Sequence, residues 1–400
     1  MSENIRRKLE EEIKILKSSD GYLYAGLSKF RGLFGRDSLI SSWQMLNIDP
    51  QIAKATLKSL SKIQGKKTDS STLEEPGKIP HEYYPPETDD EYWAKHKAEF
   101  VWLKKGEPVY FSIDSTPLYI IVFYKYFQKN PDLFFLKETW ASLKAAGDWI
   151  VKKLTEDGFL THPILEKEKG LRSQSWKDGI GEPFKNLTGN PAVVEVQGYA
   201  YEAMKSLSLL AKLLSEKEFA TLLDEEAENL KVRFEKKFWF PEEKYYYFAL
   251  LEEGKELRFV TSNPGHLLFT GIISPSRKEE VINRLFAPDM WTPYGIRTHS
   301  TKDRYFDPHA YQLGAVWPHD NWIIAKGMEE SGFSQAAAMV RTAIATAYNK
   351  LGKMPEFFGV DVAGKIITTG MKEQACYPQA WSSCAIYNLV MAEEKTAASR

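Results

Sequence analysis

Little in this chain points to a covalent framework, a metal centre or a membrane span. Its 400 residues include two cysteines, Cys376 and Cys384, eight positions apart. There is no C-x-x-C and no Cys/His cluster with zinc spacing, which excludes a disulfide-stapled scaffold and a zinc fold. The two thiols are expected to be reduced and buried. No apolar run approaches the roughly 20 residues that cross a bilayer. The opening MSENIRRKLEEEIKILK is a charged amphipathic helix without the apolar core of a signal peptide. With no disulfide framework either, the expected location is the cytoplasm. Charge of one sign is also lacking. Lys and Arg number 53 against 54 Asp and Glu, a net −1, and no Lys/Arg block is interleaved with aromatics. Nucleic acid and membrane are therefore not expected partners.

Strand signals are scarce as well. YYYFAL (245–250) and ELRFVT (256–261) flank LEEGK and are read as one hairpin. There is no regular alternation of strand and helix, which argues against a TIM barrel or a Rossmann fold.

What the chain does have is helical periodicity and aromatic residues. Amphipathic segments fall near 3–17, 37–47, 50–63, 114–128, 135–154, 194–214, 216–236, 262–273, 277–286, 320–331, 334–350 and 376–392. Ala200, Met204, Leu207, Ala211 and Leu214 form one stripe at three- and four-residue spacing. Asp49 caps a start, with Pro50 at the first helical position, and Gly332 and Gly352 stand where helices should stop. About a dozen helices with no Pro/Gly/Ser linker between them make residues 1–400 one expected domain. Six helical hairpins in a ring fit this count. An α-solenoid fits it equally, but no fixed-period repeat is present. The segment 64–113 is long, polar and aromatic, and a loop of that length is usually functional. Aromatics make up 13% of the chain, including 11 Trp. They serve cores, and they also serve sugar sites, where a pyranose face stacks on a ring.

The unusual clusters sit at helix ends: FGRDS, EEPGKIPHEYY, FSIDSTPLY, SQSWKDG, VVEVQGY, SNPGHLLFTG, PYGIRT, YQLGAVWPHDNW, MPEFFG and YPQAWSS. Carboxylates recur beside Trp, Phe or Tyr. Such surroundings raise one carboxyl pKa and leave another ionised, as hydrolysis of a glycosidic bond requires.

Taken in order, over roughly residues 30–390, these motifs resemble the amylo-α-1,6-glucosidase part of glycogen debranching enzymes, and more distantly glucoamylases. The carriers are FGRDSLIS, EEPGKIPHE, IDSTPLY, SWKDG, VEVQGYAYEAM, GHLLFTG, YGIRT, VWPHDN, PEFFG and YPQAWSS. The resemblance implies an all-α (α/α)6 barrel, here with a small β-hairpin insertion. It implies an exo-acting, inverting hydrolase of α-glucosidic bonds that needs no metal or cofactor. Unlike the debranching enzymes, this chain begins its barrel almost at once, and six-hairpin hydrolases of this size also act on small glycosides.

The same resemblance assigns roles. Asp178 matches the general acid, with Trp176 excluding water; the plainer reading is a helix-capping or turn Asp. Glu356 matches the general base, and Glu373 in the C-terminal acidic segment is its rival. Arg36 and Asp37 look like the pair that grips sugar hydroxyls, or a structural ion pair. Trp317, His319 and Asp320 resemble subsite lining, joined by Lys177. Glu195 and Gln197 open a helix and reach toward the sugar, and Glu195 is also a candidate for raising the Asp178 pKa. His81 and Glu82 lie on the long segment and fold over the pocket. Asp114, Gln379 and Trp381 are read as structural. Two other classes compete: an α/α-barrel epimerase using His266, His309 or His319, and a non-catalytic sugar-binding protein. Among substrates, the alternative is a small glycoside such as trehalose or a glucosyl- or mannosylglycerate. For an acidic aglycone the available cations are Arg172, Lys177 and Arg297.

Overall fold

Helices with one apolar stripe alternate along the chain with helices buried on nearly every side, and this alternation sets the architecture. The computed structural model describes residues 3–179, 181, 187, 189–367 and 369–398. The amphipathic class includes α1 (Glu3–Leu16), α3 (Pro50–Lys62), α8 (Lys217–Lys237), α9 (Pro275–Leu285) and α11 (Ser334–Leu351), together with the long α6 (Leu133–Asp157). The buried class comprises α2 (Gly35–Met45), α5 (Ser115–Lys129), α7 (Val194–Leu213), α10 (Pro318–Glu330) and, as far as Leu389, α12 (Ala380–Ala398). Every residue of α2 is buried, and so is α5 from Ser115 to Phe123. A helix buried all round must lie inside other helices.

Packing confirms the two layers. α2 packs on α5, α5 on α7, α7 on the 3-10 helix Asn263–Phe269, that helix on α10, α10 on α12, and α12 back on α2. Outside this closed ring, α1, α8 and α9 each back one inner element, and α3, α6 and α11 each back two neighbouring ones. The result is an (α/α)6 barrel of six helical pairs. Each outer helix returns the chain, so the inner elements run in the same direction and bring their N-termini toward one end.

Local signals explain several boundaries. The Asp49 side chain accepts from Gln51 N at 3.1 Å with Pro50 inside the first turn, as the sequence predicts. Gly352 ends α11 in the left-handed conformation, φ 70°. Three expectations change. The fourth inner element is a short 3-10 helix instead of an α-helix over 262–273, with Pro264 in its first turn. The hairpin at 245–261 is divided: β5 (Tyr245–Tyr246) pairs with β4 (Trp239–Phe240), whereas β6 (Ala249–Leu250) pairs with β7 (Glu256–Leu257) and with β3 (Ala192–Val193). Periodicity marks strands but not their partners. Lastly, the 64–113 segment contains α4 (Asp90–Glu99), capped by Asp89. Its sequence carries no apolar stripe, and among its residues His96 is buried. The segment closes over its own small core of Phe34, Tyr84, Leu103, Val109 and Phe111, and β2 (Glu82–Tyr83) pairs with β1 (Leu33–Phe34) to hold it to the barrel.

Candidate active site

At the end of the barrel where the inner helices begin, a cavity of about 220 Å³ is bounded by segments far apart in sequence. Arg36 and Asp37 come from the first turn of α2. Asp178 and Trp176 come from the loop before α7. Tyr311, Gln312 and Trp317 lead into α10, and Glu356 follows α11. The 64–113 segment contributes His81, Glu82, Glu99 and Phe100 as one wall. Clustering carboxylates here is consistent with the positive ends of inner helices facing this side.

Arg36 organises the floor. Its guanidinium is buried and donates to Asp114 Oδ2 at 3.1 Å and to Asp178 Oδ2 at 2.6 Å, with Asp37 Oδ2 at 3.8 Å. Asp114 sits at the N-terminus of α5 and is fixed further by Ser112, 2.6 Å away. Asp178 keeps 21% of its side chain exposed to the cavity. Burial pushes its pKa up, Arg36 pulls it down and Asp114 adds a further push, with the balance upward. The charge that raises it is thus Asp114, not Glu195. Gly179 explains the end of SWKDG: a Cβ there would meet the Tyr311 ring at 2.6 Å. Gln312 clamps the same strip, accepting from Gly179 N at 2.8 Å and donating to Trp176 O at 2.8 Å.

Glu356, which also lines the cavity, is 1% exposed. Tyr311 Oη donates to its Oε1 at 2.6 Å, and the backbone N–H of Cys376 donates to its Oε2 at 2.9 Å. Burial lifts its pKa to about 7, and the two donors oppose that rise by favouring the carboxylate. Glu373, the rival base, also lines the cavity but is exposed and accepts from the backbone N–H of Tyr311 at 3.1 Å. Burial likewise raises Asp37 and Glu82 to about 8. His81 is held well below the ordinary histidine value by burial, so its ring is neutral at pH 7.

Of the fourteen residues the sequence placed at the site, nine line the cavity: Arg36, Asp37, His81, Glu82, Trp176, Asp178, Trp317, Glu356 and Glu373. Five do not. Lys177 lies between Trp176 and Asp178 but is turned into the Thr298 carbonyl, and burial lowers its pKa to about 7. Gln197 is taken up by the Leu160 N–H, at 2.9 Å, and by the carbonyls of Leu160 and Val193. Glu195 and Asp320 belong to a buried polar layer behind the cavity, where Asp320 bonds His266 at 2.7 Å. His319 stacks on Trp381 with ring centroids 3.8 Å apart. Apart from Lys177, which lies in the loop before α7, these residues occupy inner helices buried all round, so a polar side chain there faces the barrel interior as readily as its mouth.

Sequence reasoning missed Tyr311, Gln312 and Lys29, and it took Trp381 and Asp114 as structural. Trp381 lines the cavity, and Asp114 reaches it through Arg36. Tyr311 lay within a noted cluster, six residues before Trp317, but a tyrosine's role depends on what its hydroxyl meets. The Nε1 atoms of Trp176 and Trp381, Nδ1 of His81 and Nε of Arg36 are buried without a hydrogen-bond partner among the described residues. Buried polar groups are normally paired. Four unpaired donors or acceptors around one cavity are what a hydroxyl-rich ligand would satisfy.

Known proteins show the same barrel. The structure is similar to GH63 mannosylglycerate hydrolase from Thermus thermophilus in complex with Tris, at 17% identity and a TM-score of 0.72, covering 97% of this chain and 100% of that one. It is similar to the same enzyme in complex with Tris and D-glycerate (16%, 0.73, 97% and 100%) and in complex with glucose (15%, 0.70, 97% and 99%). None of the curated protein sequences is similar enough to match. No described helix is long and apolar enough to cross a membrane. A family profile described as the mannosylglycerate hydrolase MGH1-like glycoside hydrolase domain matches residues 33–358. That match takes in most of the barrel and both candidate carboxylates, so the chain belongs to the MGH1-like glycoside hydrolase family and is an enzyme that hydrolyses O-glycosyl bonds.

Proposed function

We propose that the protein is an inverting, exo-acting hydrolase of a small α-glycoside with an acidic aglycone, of the glycosylglycerate kind, with Asp178 as general acid and Glu356 as general base. The observation that carries this reading is that two carboxyls with different partners, a guanidinium on one and neutral donors on the other, line one small cavity. The Asp178 carboxyl is pushed toward its protonated form, with Arg36 on Oδ2. Guanidinium has no acceptor, so Oδ2 stays the bare oxygen and the acid proton belongs on Oδ1. From there it passes to the leaving glycosidic oxygen as the bond to the sugar breaks. Glu356, held by the Tyr311 hydroxyl and the Cys376 N–H, takes a proton from a water that attacks the anomeric carbon from the opposite face. Trp176 and Trp317 supply apolar walls for a pyranose, and His81, Arg36 and Asp37 offer polar atoms to its hydroxyls.

Two observations favour a small glycoside over a polymer branch. The cavity is only about 220 Å³, with the 64–113 segment forming one wall. The matching family is described by a mannosylglycerate hydrolase, and one similar structure is a complex with D-glycerate. An α-1,6-glucosidase reading retains the motif resemblance alone. The deciding experiment is hydrolysis of mannosylglycerate, glucosylglycerate, trehalose, isomaltose and panose by the purified protein, with NMR of the first product. Release of the β-anomer from an α-glycerate glycoside is expected. Initial α-anomer overturns the inverting roles, and turnover confined to isomaltose and panose overturns the substrate assignment.

A further inference from the structure

Carboxyl groups outnumber cations around the cavity. Asp37, Glu82, Asp178, Glu356, Glu99 and Glu373 all line it, and two cations do so among the described residues, Arg36 and Lys29. Glu99 and Glu373 are its exposed carboxylates, so an anionic aglycone entering past them is repelled unless a cation receives it. The charge of Arg36 is already met, because its guanidinium is buried and donates to Asp114 and Asp178, leaving Nε alone for a sugar hydroxyl. The three cations the sequence offered are also committed elsewhere. Lys177 is turned into the Thr298 carbonyl, Arg297 into the carbonyls of Val360 and Asp361, and Arg172 into those of Leu165 and Leu187. None of them lines the cavity.

Lys29 differs from these. It lies just before β1, its side chain is 32% exposed, and its ammonium is 3.0 Å from Glu99 Oε1. Glu99 stands at the end of α4 with 54% of its side chain exposed. The pair therefore sits at the solvent side of the cavity, where an aglycone extends once its sugar fills the inner end. Lys29 is also close enough to Glu356 to favour its ionised form. An exposed Lys–Glu pair is weakly held, so a carboxylate of suitable reach replaces Glu99 at low cost.

We propose that Lys29 is a specificity-determining residue: it receives the carboxylate of the aglycone in exchange for Glu99, and it selects acidic over neutral glycosides. This rests on the glycosylglycerate reading above. The test compares 2-O-α-D-mannosyl-D-glycerate with the neutral mannosylglycerol in the whole protein, by KM and by calorimetric Kd on an Asp178→Asn background. Lys29→Gln should lower the preference for the acidic glycoside by about tenfold, the effect of losing one charge-assisted hydrogen bond. Lys29→Arg should restore most of it. Glu99→Gln, which removes the competing carboxylate, should tighten the acidic glycoside relative to the neutral one. An unchanged acidic-to-neutral Kd ratio in Lys29→Gln overturns the proposal, as does a wild-type protein with no preference. Binding of the acidic glycoside without hydrolysis would instead refute the catalytic reading and leave the Kd comparison to decide Lys29.

Discussion

Tyr311 is where the structure makes its sharpest demand. Its hydroxyl lies 2.6 Å from Glu356 Oε1, and its ring packs edge-on against Trp317 and Phe357 at 4.7 and 4.9 Å. Tyr311→Phe keeps those ring contacts and deletes one donor to a buried carboxylate. A hydrogen bond to a charged group is worth about 1.5–3 kcal/mol. One pH unit corresponds to about 1.4 kcal/mol, so the loss converts to roughly one to two pH units. The direction follows from the base's role. Glu356 acts when ionised, and burial already places its pKa at about 7. Removing the donor disfavours the ionised form further, so the acidic limb of the kcat/KM profile moves upward by roughly one to two pH units. Below that limb the variant should be slower by about ten- to a hundredfold, with recovery as pH rises. The assay is a kcat/KM profile between about pH 5 and 10 beside a thermal melt. A uniform loss at every pH with no displaced limb would refute the reasoning, since it would show that Tyr311 shapes the cavity without tuning the base. So would a wild-type limb near the ordinary carboxylate range.

Asp178→Asn and Glu356→Gln should each cost roughly two to four orders of magnitude in kcat while leaving the circular dichroism spectrum intact, because the amides keep shape but cannot transfer the proton. Stability should fall with rising pH across neutrality: Asp37, Glu82 and Glu356 are raised to about 8, 8 and 7, so the stability they contribute is complete below the unfolded carboxylate range and lost as pH climbs through about 7–8. Asp37→Asn should accordingly raise the melting temperature by roughly 1–3 °C at pH 9 and by less at pH 5, at the expense of activity. A melting temperature that rises from pH 6 to 9 in the wild type would contradict this. Gln197→Leu should cost about 2–4 kcal/mol by stripping partners from Leu160 and Val193, while kcat/KM of the folded fraction stays within about twofold. A selective rise in KM would return Gln197 to the sugar site.

The sequence by itself determined the class of fold and the class of reaction, hydrolysis of O-glycosyl bonds. Three- and four-residue spacing reflects which faces are buried, so it marked nearly every helix from α1 to α12, and the cap at Asp49 and the stop at Gly352 set boundaries through local backbone geometry. Asp178 in SWKDG and Glu356 in PEFFG were picked out by the family resemblance of those motifs, and both line the one cavity. Residues whose role depends on distant partners were another matter. Lys177 and Asp178 are neighbours in the chain, yet one turns into the Thr298 carbonyl and the other into the cavity. Gln197 and His319 looked like sugar ligands and are barrel interior, while Tyr311 and Lys29 gained meaning from Glu356 and Glu99, 45 and 70 positions away. Even the direction of the carboxyl pKa values was decided by the closed barrel. Asp114, Arg36 and Asp178 come from separate turns, and the first two bias the protonation of Asp178 because folding removes water from between them.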